Sequence, residues 1–245
     1  MSLDPNVRAA VDAYLASTVG LIDGLYLYGS VALGDFHPPH SDIDFVAIVD
    51  RPLDKAALDS VHRSLPGPVF DGIYLTTAQL AAGPVDLAPT HFARERRLHE
   101  PGRFEQNPVT WHSLAGNGIR CGGPELGDLE IWRDPAELAR WTRGNVEEYW
   151  RDLLKRGGAY DLEPFPGGMM WVVLGVPRLH YTLATRAITS KSGAGEYALT
   201  VFDEEWHDLI RACLAQRRGG EAPSPSLWPH ALDFLAMSID ETLRL

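Results

Sequence analysis

The chain is poor in cysteine and has no long hydrophobic segment. Its 245 residues include 2 cysteines, Cys121 and Cys213, too few and too far apart for a disulfide framework or a zinc-binding pair. The longest apolar run covers residues 169–176, well short of the roughly 20 residues that a transmembrane helix needs. The first residues lack the basic and apolar segments of a secretory signal. These deficits predict a protein of the reducing cytoplasm without a membrane span.

Basic residues are also scarce. The chain has 22 Lys and Arg against 33 Asp and Glu, which gives a formal net charge of -11. Proteins that hold long nucleic acids need a basic face for the phosphates, so this class is disfavoured. An acidic surface suits a metal ion or a polycationic small molecule instead. We therefore expect small-molecule ligands, no nucleic acid and a monomeric protein.

The first half of the chain alternates strand and helix patterns. Residues 25–28, 43–49 and 69–75 have the composition of β-strands. The second of these segments is apolar on both faces, which is typical of a central strand that is covered on each side. Helical spacing of apolar residues precedes the first strand and separates the second from the third. We predict an N-terminal domain, residues 1–132, with a mixed β-sheet flanked by helices.

The second half is helical in pattern. Asp134 and Pro135 place a capping residue before a proline at the first helical position, the strongest helix start in the chain. Helical spacing then continues to the C-terminus, although Pro177 is expected to kink or break the helix that contains it. We predict a helical bundle, residues 133–245, and an α+β fold for the whole chain.

Residues of chemical interest flank the first two strands. Gly29 and Ser30 follow the first strand, and Asp42 and Asp44 stand where the second begins. Side chains at positions i and i+2 of a strand point to the same side, so the two carboxylates project together and require a cation. Hard oxygen ligands select Mg²⁺, which commonly binds substrate phosphates as well. A glycine lets a phosphate approach the backbone, and a serine hydroxyl donates to it. Asp71, in the third strand, is a candidate base or a further metal ligand.

Each of these features also has an ordinary structural explanation. A Gly-Ser pair is often only a turn, an Asp-x-Asp pair often only a solvated loop end, and Asp71 would face water if its strand lay at the sheet edge. The order of strand, turn, polar loop and apolar strand favours phosphate and metal chemistry over these alternatives.

Residues 28–30 and 41–44 together resemble the Gly-Ser and Asp-x-Asp signature of the DNA polymerase β-like nucleotidyltransferases. The rest of the chain is similar to the aminoglycoside adenylyltransferases that modify streptomycin and spectinomycin, notably at residues 109–112, 178–185 and 190–198. The resemblance implies an enzyme with a nucleotidyltransferase domain and a helical substrate- and nucleotide-binding domain. It further implies transfer of AMP from ATP to an aminoglycoside-like acceptor, with release of pyrophosphate, as in antibiotic modification.

The resemblance also assigns roles to individual residues. It implies nucleotide contacts by the following five residues: Gly29, Ser30, Ser41, Arg178 and Lys191. It implies that Asp42 and Asp44 hold Mg²⁺, and that Asp71 takes the place of the family's catalytic base or of a further metal ligand. The streptomycin-modifying enzymes use glutamate at that position, which is longer by one methylene group.

The acceptor side matches the family less well. Where the streptomycin-modifying enzymes carry an acidic drug contact, this chain has Gly167 and Gly168, so streptomycin itself is not implied. Glu147, Glu148 and Trp150 are expected to meet a cationic sugar through charge and stacking, unless the glutamates form only a solvated helix face. Two other functions stay open: nucleotide transfer to another acceptor such as a protein side chain, and non-catalytic binding of a nucleotide or drug.

Overall fold

The computed structural model describes residues 3–38, 40–157 and 167–245. The chain forms two compact units, Met1–Asp134 and Pro135–Leu245. Within the described ranges, no helix is both long and apolar enough to cross a membrane.

A mixed β-sheet forms the centre of the first unit. Its strands are β1 (Gly24–Leu27), β2 (Ile43–Ile48), β3 (Phe70–Leu75), β4 (Thr90–Arg94), β5 (Arg97–Gly102) and β6 (Ile119–Gly122). They lie in the order β5-β4-β3-β2-β1-β6. The pair β2 and β3 is parallel, and the other neighbouring pairs are antiparallel. The predicted mixed sheet with flanking helices is therefore confirmed.

Helices flank this sheet. They are α1 (Pro5–Ser17), α2 (Gly29–Ala32), α3 (Lys55–Ser64), α4 (Thr77–Ala82) and α5 (Pro108–Asn117). Because parallel strands need a long crossover connection, α3 sits between β2 and β3 in the chain and allows the two strands to run side by side. Asp4 caps the N-terminus of helix α1, since its side chain accepts the backbone N–H of Asn6 at 2.8 Å.

The two faces of the sheet carry separate apolar clusters. Phe45 of β2 packs in one cluster together with Tyr14 of α1. Val46, the next residue, belongs to the cluster on the opposite face, which also contains Trp111 of α5. Since side chains alternate along a strand, Asp44 leaves β2 on the same face as Val46. The carboxylate therefore stands at the end of a row of buried side chains.

The second unit is the predicted helical bundle. Its helices are α6 (Pro135–Asn145), α7 (Arg151–Gly157), α8 (Gly168–Thr185), α9 (Lys191–Val201), α10 (His207–Arg217) and α11 (Trp228–Arg244). A single π-helical turn, Val146–Trp150, joins α6 to α7. Helix α8 contacts α6, α9, α10 and α11 and forms the centre of the bundle. The α+β class expected for the whole chain is confirmed.

The sequence predicts a kink or a break at Pro177, and the structure shows no break. Helix α8 continues through this residue, and Pro177 is buried inside it. An internal proline removes one helical hydrogen bond and costs about 3 kcal/mol. Four neighbouring helices pack against α8, and this packing offsets the local cost.

Candidate active site

The pairing of β2 with β3 brings the predicted carboxylates together. Asp44 and Asp71 are direct register partners on these parallel strands. Partners on neighbouring strands leave the sheet on the same face, and the strands lie about 4.8 Å apart. Asp42 is exposed and sits two residues before Asp44. Its charge is near enough to raise the pKa of the Asp71 carboxyl. The three carboxylates thus share one end of the parallel strand pair.

Asp71 has the electrostatic properties of a base. Burial, followed by the negative charge of Asp42, raises the pKa of its carboxyl from 3.8 to about 6. The backbone N–H of Glu95 donates to Asp71 Oδ1 at 3.1 Å and, with the nearby Arg94 guanidinium, opposes this rise in pKa. At neutral pH the carboxylate is therefore largely ionised and more basic than an ordinary aspartate.

The turn after β1 packs directly against Asp44. The backbone N–H of Tyr28 donates to the Asp44 carbonyl oxygen at 3.1 Å. Gly29 follows with φ of 61°, and a Cβ atom at this position would lie 1.9 Å from Asp44 Oδ2. The Ser30 N–H donates to the same oxygen at 3.4 Å. Gly29 is thus needed both for its left-handed backbone and for the space that the carboxylate occupies.

The two predicted serines have different surroundings. Ser30 Oγ is buried, and it has no hydrogen-bond partner among the residues that the structure describes. Ser41 Oγ is half-buried and accepts the backbone N–H of His37 at 3.1 Å. Because buried polar atoms are nearly always hydrogen-bonded, the Ser30 hydroxyl is available to a ligand, and its contact with the nucleotide stays a prediction.

The donor set suits Mg²⁺ that is shared with a substrate. In the part of the chain that the structure describes, no group of three or more His, Cys, Asp or Glu side chains is arranged to hold a metal ion. Mg²⁺ is usually bound by one or two carboxylates, with waters and substrate phosphates as the other ligands. Asp42 and Asp44 supply oxygen donors of this kind. The role of Asp71 as a further metal ligand stays a prediction.

A buried hydrogen-bond network next to the Gly29 turn was not foreseen from the sequence. The Tyr28 hydroxyl donates to Glu105 Oε2 at 3.1 Å, and the Thr110 hydroxyl donates to the same oxygen at 2.9 Å. Burial raises the pKa of the Tyr28 hydroxyl, and the charges of Glu105 and Asp44 raise it further. The network fixes the residue immediately before Gly29. Its partners lie 77 positions apart in the chain, so no local pattern could have revealed them.

A cavity of about 640 Å³ opens beside the carboxylates in the first unit. Its lining includes Ser41, Asp42, Asp71 and Glu95, and no lysine or arginine is among the described residues that line it. Cavities of this size hold small molecules. The carboxylates of Asp42, Asp71 and Glu95 in this lining favour a ligand that carries positive charge.

Two predicted nucleotide contacts lie in the second unit. Arg178 follows Pro177 in α8 and is half-buried. Lys191 is the first residue of α9, whose N-terminus is capped by Ser190 Oγ accepting the Gly193 N–H at 3.0 Å. The other predicted nucleotide and metal contacts lie in the first unit.

The three predicted acceptor contacts occur together on the π-helical turn. Glu147 and Glu148 are exposed, whereas Trp150 is only 4% exposed. The Trp150 ring packs against Gly175 so closely that a Cβ atom there would lie 2.3 Å away. The predicted stacking of Trp150 on a ligand is not supported, because the Trp150 ring packs inside the core of the second unit. The exposed aromatic residue on this turn is Tyr149, at 46%.

Both halves of the chain match known protein families, and the fold matches a solved structure. Residues 13–106 match the family described as nucleotidyltransferase domain, and residues 147–238 match the family described as aminoglycoside adenylyltransferase, C-terminal domain. No curated protein sequence matches the chain significantly. A solved structure, spectinomycin adenyltransferase from Enterococcus faecialis with ATP and spectinomycin, has a similar fold with a TM-score of 0.66. It is 15% identical in sequence, and the match covers 96% of this chain and 98% of that chain.

Proposed function

This chain belongs to the aminoglycoside adenylyltransferases of the nucleotidyltransferase superfamily, and we propose that it transfers AMP from ATP to a hydroxyl group of a cationic, aminoglycoside-like acceptor. The observation that carries this proposal is the cluster of Asp42, Asp44 and Asp71 beside the buried Ser30 hydroxyl. The similar enzyme that was crystallised with ATP and spectinomycin supports ATP as co-substrate and a small acceptor.

The first unit is the catalytic domain in this proposal. Gly29 leaves room for the Asp44 carboxylate next to the turn. The Gly29 backbone contacts the triphosphate, and the Ser30 and Ser41 hydroxyls donate to its oxygens. The family resemblance further implies that Arg178 and Lys191 of the second unit contribute positive charge to nucleotide binding. These contacts hold the α-phosphorus in place for attack, and such positioning accounts for much of the catalysis of phosphoryl transfer.

Asp42 and Asp44 would hold Mg²⁺, which supplies positive charge to the phosphate oxygens when it is bound. Asp71 accepts the proton of the acceptor hydroxyl. The oxygen then forms a bond to the α-phosphorus of ATP, the bond between the α-phosphorus and its bridging oxygen breaks, and pyrophosphate leaves. An ionised Asp71 whose pKa is about 6 suits this role at neutral pH.

The charge distribution supports a cationic acceptor. The cavity beside Asp71 is lined by three carboxylates, and Glu147 and Glu148 are exposed on the second unit. The net charge of -11 attracts a polycation over longer distances. These features favour an aminoglycoside or aminocyclitol over a neutral sugar.

The proposal is tested by incubating the protein with labelled ATP, Mg²⁺ and a panel of spectinomycin, streptomycin and a neutral disaccharide. We expect a cationic acceptor to gain the mass of AMP, with one pyrophosphate released for each acceptor modified. The Asp42→Asn variant should lose this activity while its circular dichroism is retained, and Asp86→Asn, at an exposed loop aspartate, should behave as the wild type.

Pyrophosphate release by Asp42→Asn at the wild-type rate would overturn the proposed mechanism. Mass gain on a protein side chain instead of on any small molecule would overturn the proposed acceptor class. ATP binding that is independent of Mg²⁺ and produces no pyrophosphate would instead indicate a non-catalytic nucleotide-binding protein.

A further inference from the structure

The turn between β4 and β5 has an unusual backbone for its sequence. Only Glu95 and Arg96 join the two strands, and both have positive φ, 51° and 63°. Two-residue hairpins of this kind require positive φ at both positions and favour Asn-Gly or Asp-Gly. Glutamate and arginine adopt this conformation only at a cost in free energy. Contacts of the turn with its surroundings must offset this cost.

The side chain of Arg96 makes these contacts. Its Nη1 atom donates to the Leu65 carbonyl oxygen and its Nη2 atom donates to the Gly67 carbonyl oxygen, each at 2.5 Å. Because the guanidinium group is planar and rigid, the two bonds fix the turn against the segment that leads into β3. That segment continues into β3, in which Asp71 is the second residue, and it forms one wall of the 640 Å³ cavity.

The fixed turn touches Asp71 through its backbone. The Glu95 N–H donates to Asp71 Oδ1 at 3.1 Å. A carboxylate that is held by one oxygen has a defined orientation, and its other oxygen, Oδ2, is then directed to a separate partner. For a base, this partner is the hydroxyl from which it takes a proton.

We propose that Arg96 is a positioning residue for Asp71, because it clamps the β4–β5 turn so that the Glu95 amide orients the Asp71 carboxylate toward the acceptor hydroxyl. This inference rests on the proposed function, in which Asp71 is the base. Arg96 itself touches neither substrate nor reacting atoms. Its effect is on the orientation of the base, and misplacement of a catalytic group by about 1 Å can lower the rate about 100-fold.

The kinetic test compares Arg96→Gly, Arg96→Lys and Arg97→Ala. Glycine accepts positive φ, so Arg96→Gly removes the clamp without adding backbone strain. We expect its kcat to fall about 10- to 100-fold with an unchanged KM for ATP. Arg96→Lys can restore one of the two hydrogen bonds and should recover part of kcat. Arg97 is exposed and pairs with Asp59 at 3.6 Å, so Arg97→Ala should keep the wild-type kcat.

A second measurement needs no substrate. Hydrogen exchange of the Glu95 amide, followed by NMR, should be about tenfold faster in Arg96→Gly than in the wild type and unchanged in Arg97→Ala. Wild-type kcat and wild-type amide protection in Arg96→Gly would overturn the inference, as would equal losses in Arg96→Gly and Arg97→Ala. If the wild type modifies no acceptor, the proposed function fails, and the amide exchange still shows whether Arg96 clamps the turn.

Discussion

Gly29 and Asp44 approach each other so closely that no side chain fits between them. A Cβ atom on Gly29 would lie 1.9 Å from Asp44 Oδ2, and the backbone of Gly29 has φ of 61°. The Asp44 carboxylate can therefore hold this position only while residue 29 is glycine. This contact couples the candidate phosphate site to the candidate metal site.

We expect Gly29→Ala to reduce kcat/KM for ATP by about 100-fold or more, because the added methyl group must displace the Asp44 carboxylate. The measurement is the rate of pyrophosphate release at several ATP concentrations. Gly127→Ala is the matched control, since a Cβ atom there would meet nothing within 4 Å. Equal activities of the two variants would contradict the role given to this contact.

Asp71→Asn should lower kcat by a factor of about 100 to 10,000, the contribution of a general base. The same substitution should stabilise the protein. Since the folded-state pKa of Asp71 is raised to about 6, ionisation of its carboxyl at neutral pH disfavours the folded state. After a discount for partial exposure, the gain is about 1 kcal/mol, or a rise in Tm of about 2–4 °C. A variant with lower Tm and unchanged kcat would refute both parts of this prediction.

Arg178→Ala should raise KM for ATP about 10- to 100-fold, because a charged hydrogen bond to phosphate contributes about 1.5–3 kcal/mol. Isothermal titration calorimetry with ATP and Mg²⁺ measures the loss directly. Arg211→Ala provides the comparison, as this arginine is exposed on α10 and pairs with Asp208 at 3.3 Å. If both variants bind ATP as the wild type does, Arg178 does not contact the nucleotide.

His62 should make the first unit sensitive to acid. Its ring is buried, its Nε2 atom lies 2.6 Å from the Tyr74 hydroxyl, and burial lowers its pKa from 6.5 to about 4. The unfolded state therefore takes up a proton before the folded state does. Stability is fully present above pH 6.5 and decreases as the pH falls toward 4, by about 3 kcal/mol in total.

Urea unfolding at pH 7, 5.5 and 4 measures this loss. His62→Gln keeps a hydrogen-bonding group but cannot titrate, so its free energy of unfolding should decrease less over this pH range. His230→Gln, in the second unit, should retain the wild-type dependence on pH. Parallel pH dependences for the wild type and His62→Gln would show that another group causes the acid sensitivity.

The fold class could be predicted because each half of the chain repeats a clear pattern. Alternating and continuous apolar runs indicated β2 and β3, and the Asp134-Pro135 pair indicated the start of α6. The hairpin of β4 and β5 escaped prediction. Its Glu-Arg turn has none of the Gly, Asn or Asp residues by which such a turn is usually recognised.

The sequence also determined part of the candidate site. The shared face of Asp42 and Asp44 follows from a local rule, because a strand alternates its side chains. The place of Gly29 at the turn that starts α2 follows from another, because glycine permits positive φ. The burial of Trp150 did not follow from such rules. A π-helical turn changes the direction in which successive side chains point, and it exposes Tyr149 while Trp150 enters the core.

Only the tertiary structure decided what stands opposite each of these residues. Asp71 faces Asp44 because α3 returns the chain so that β3 lies parallel to β2 in one register. The Glu95 N–H reaches Asp71 because Arg96 holds the β4–β5 turn, which contains both residues, against Leu65 in the segment before β3. Periodicity specifies the face of an element that a side chain occupies. The partner across that face depends on the packing of segments that are far apart in the chain, which local patterns do not encode.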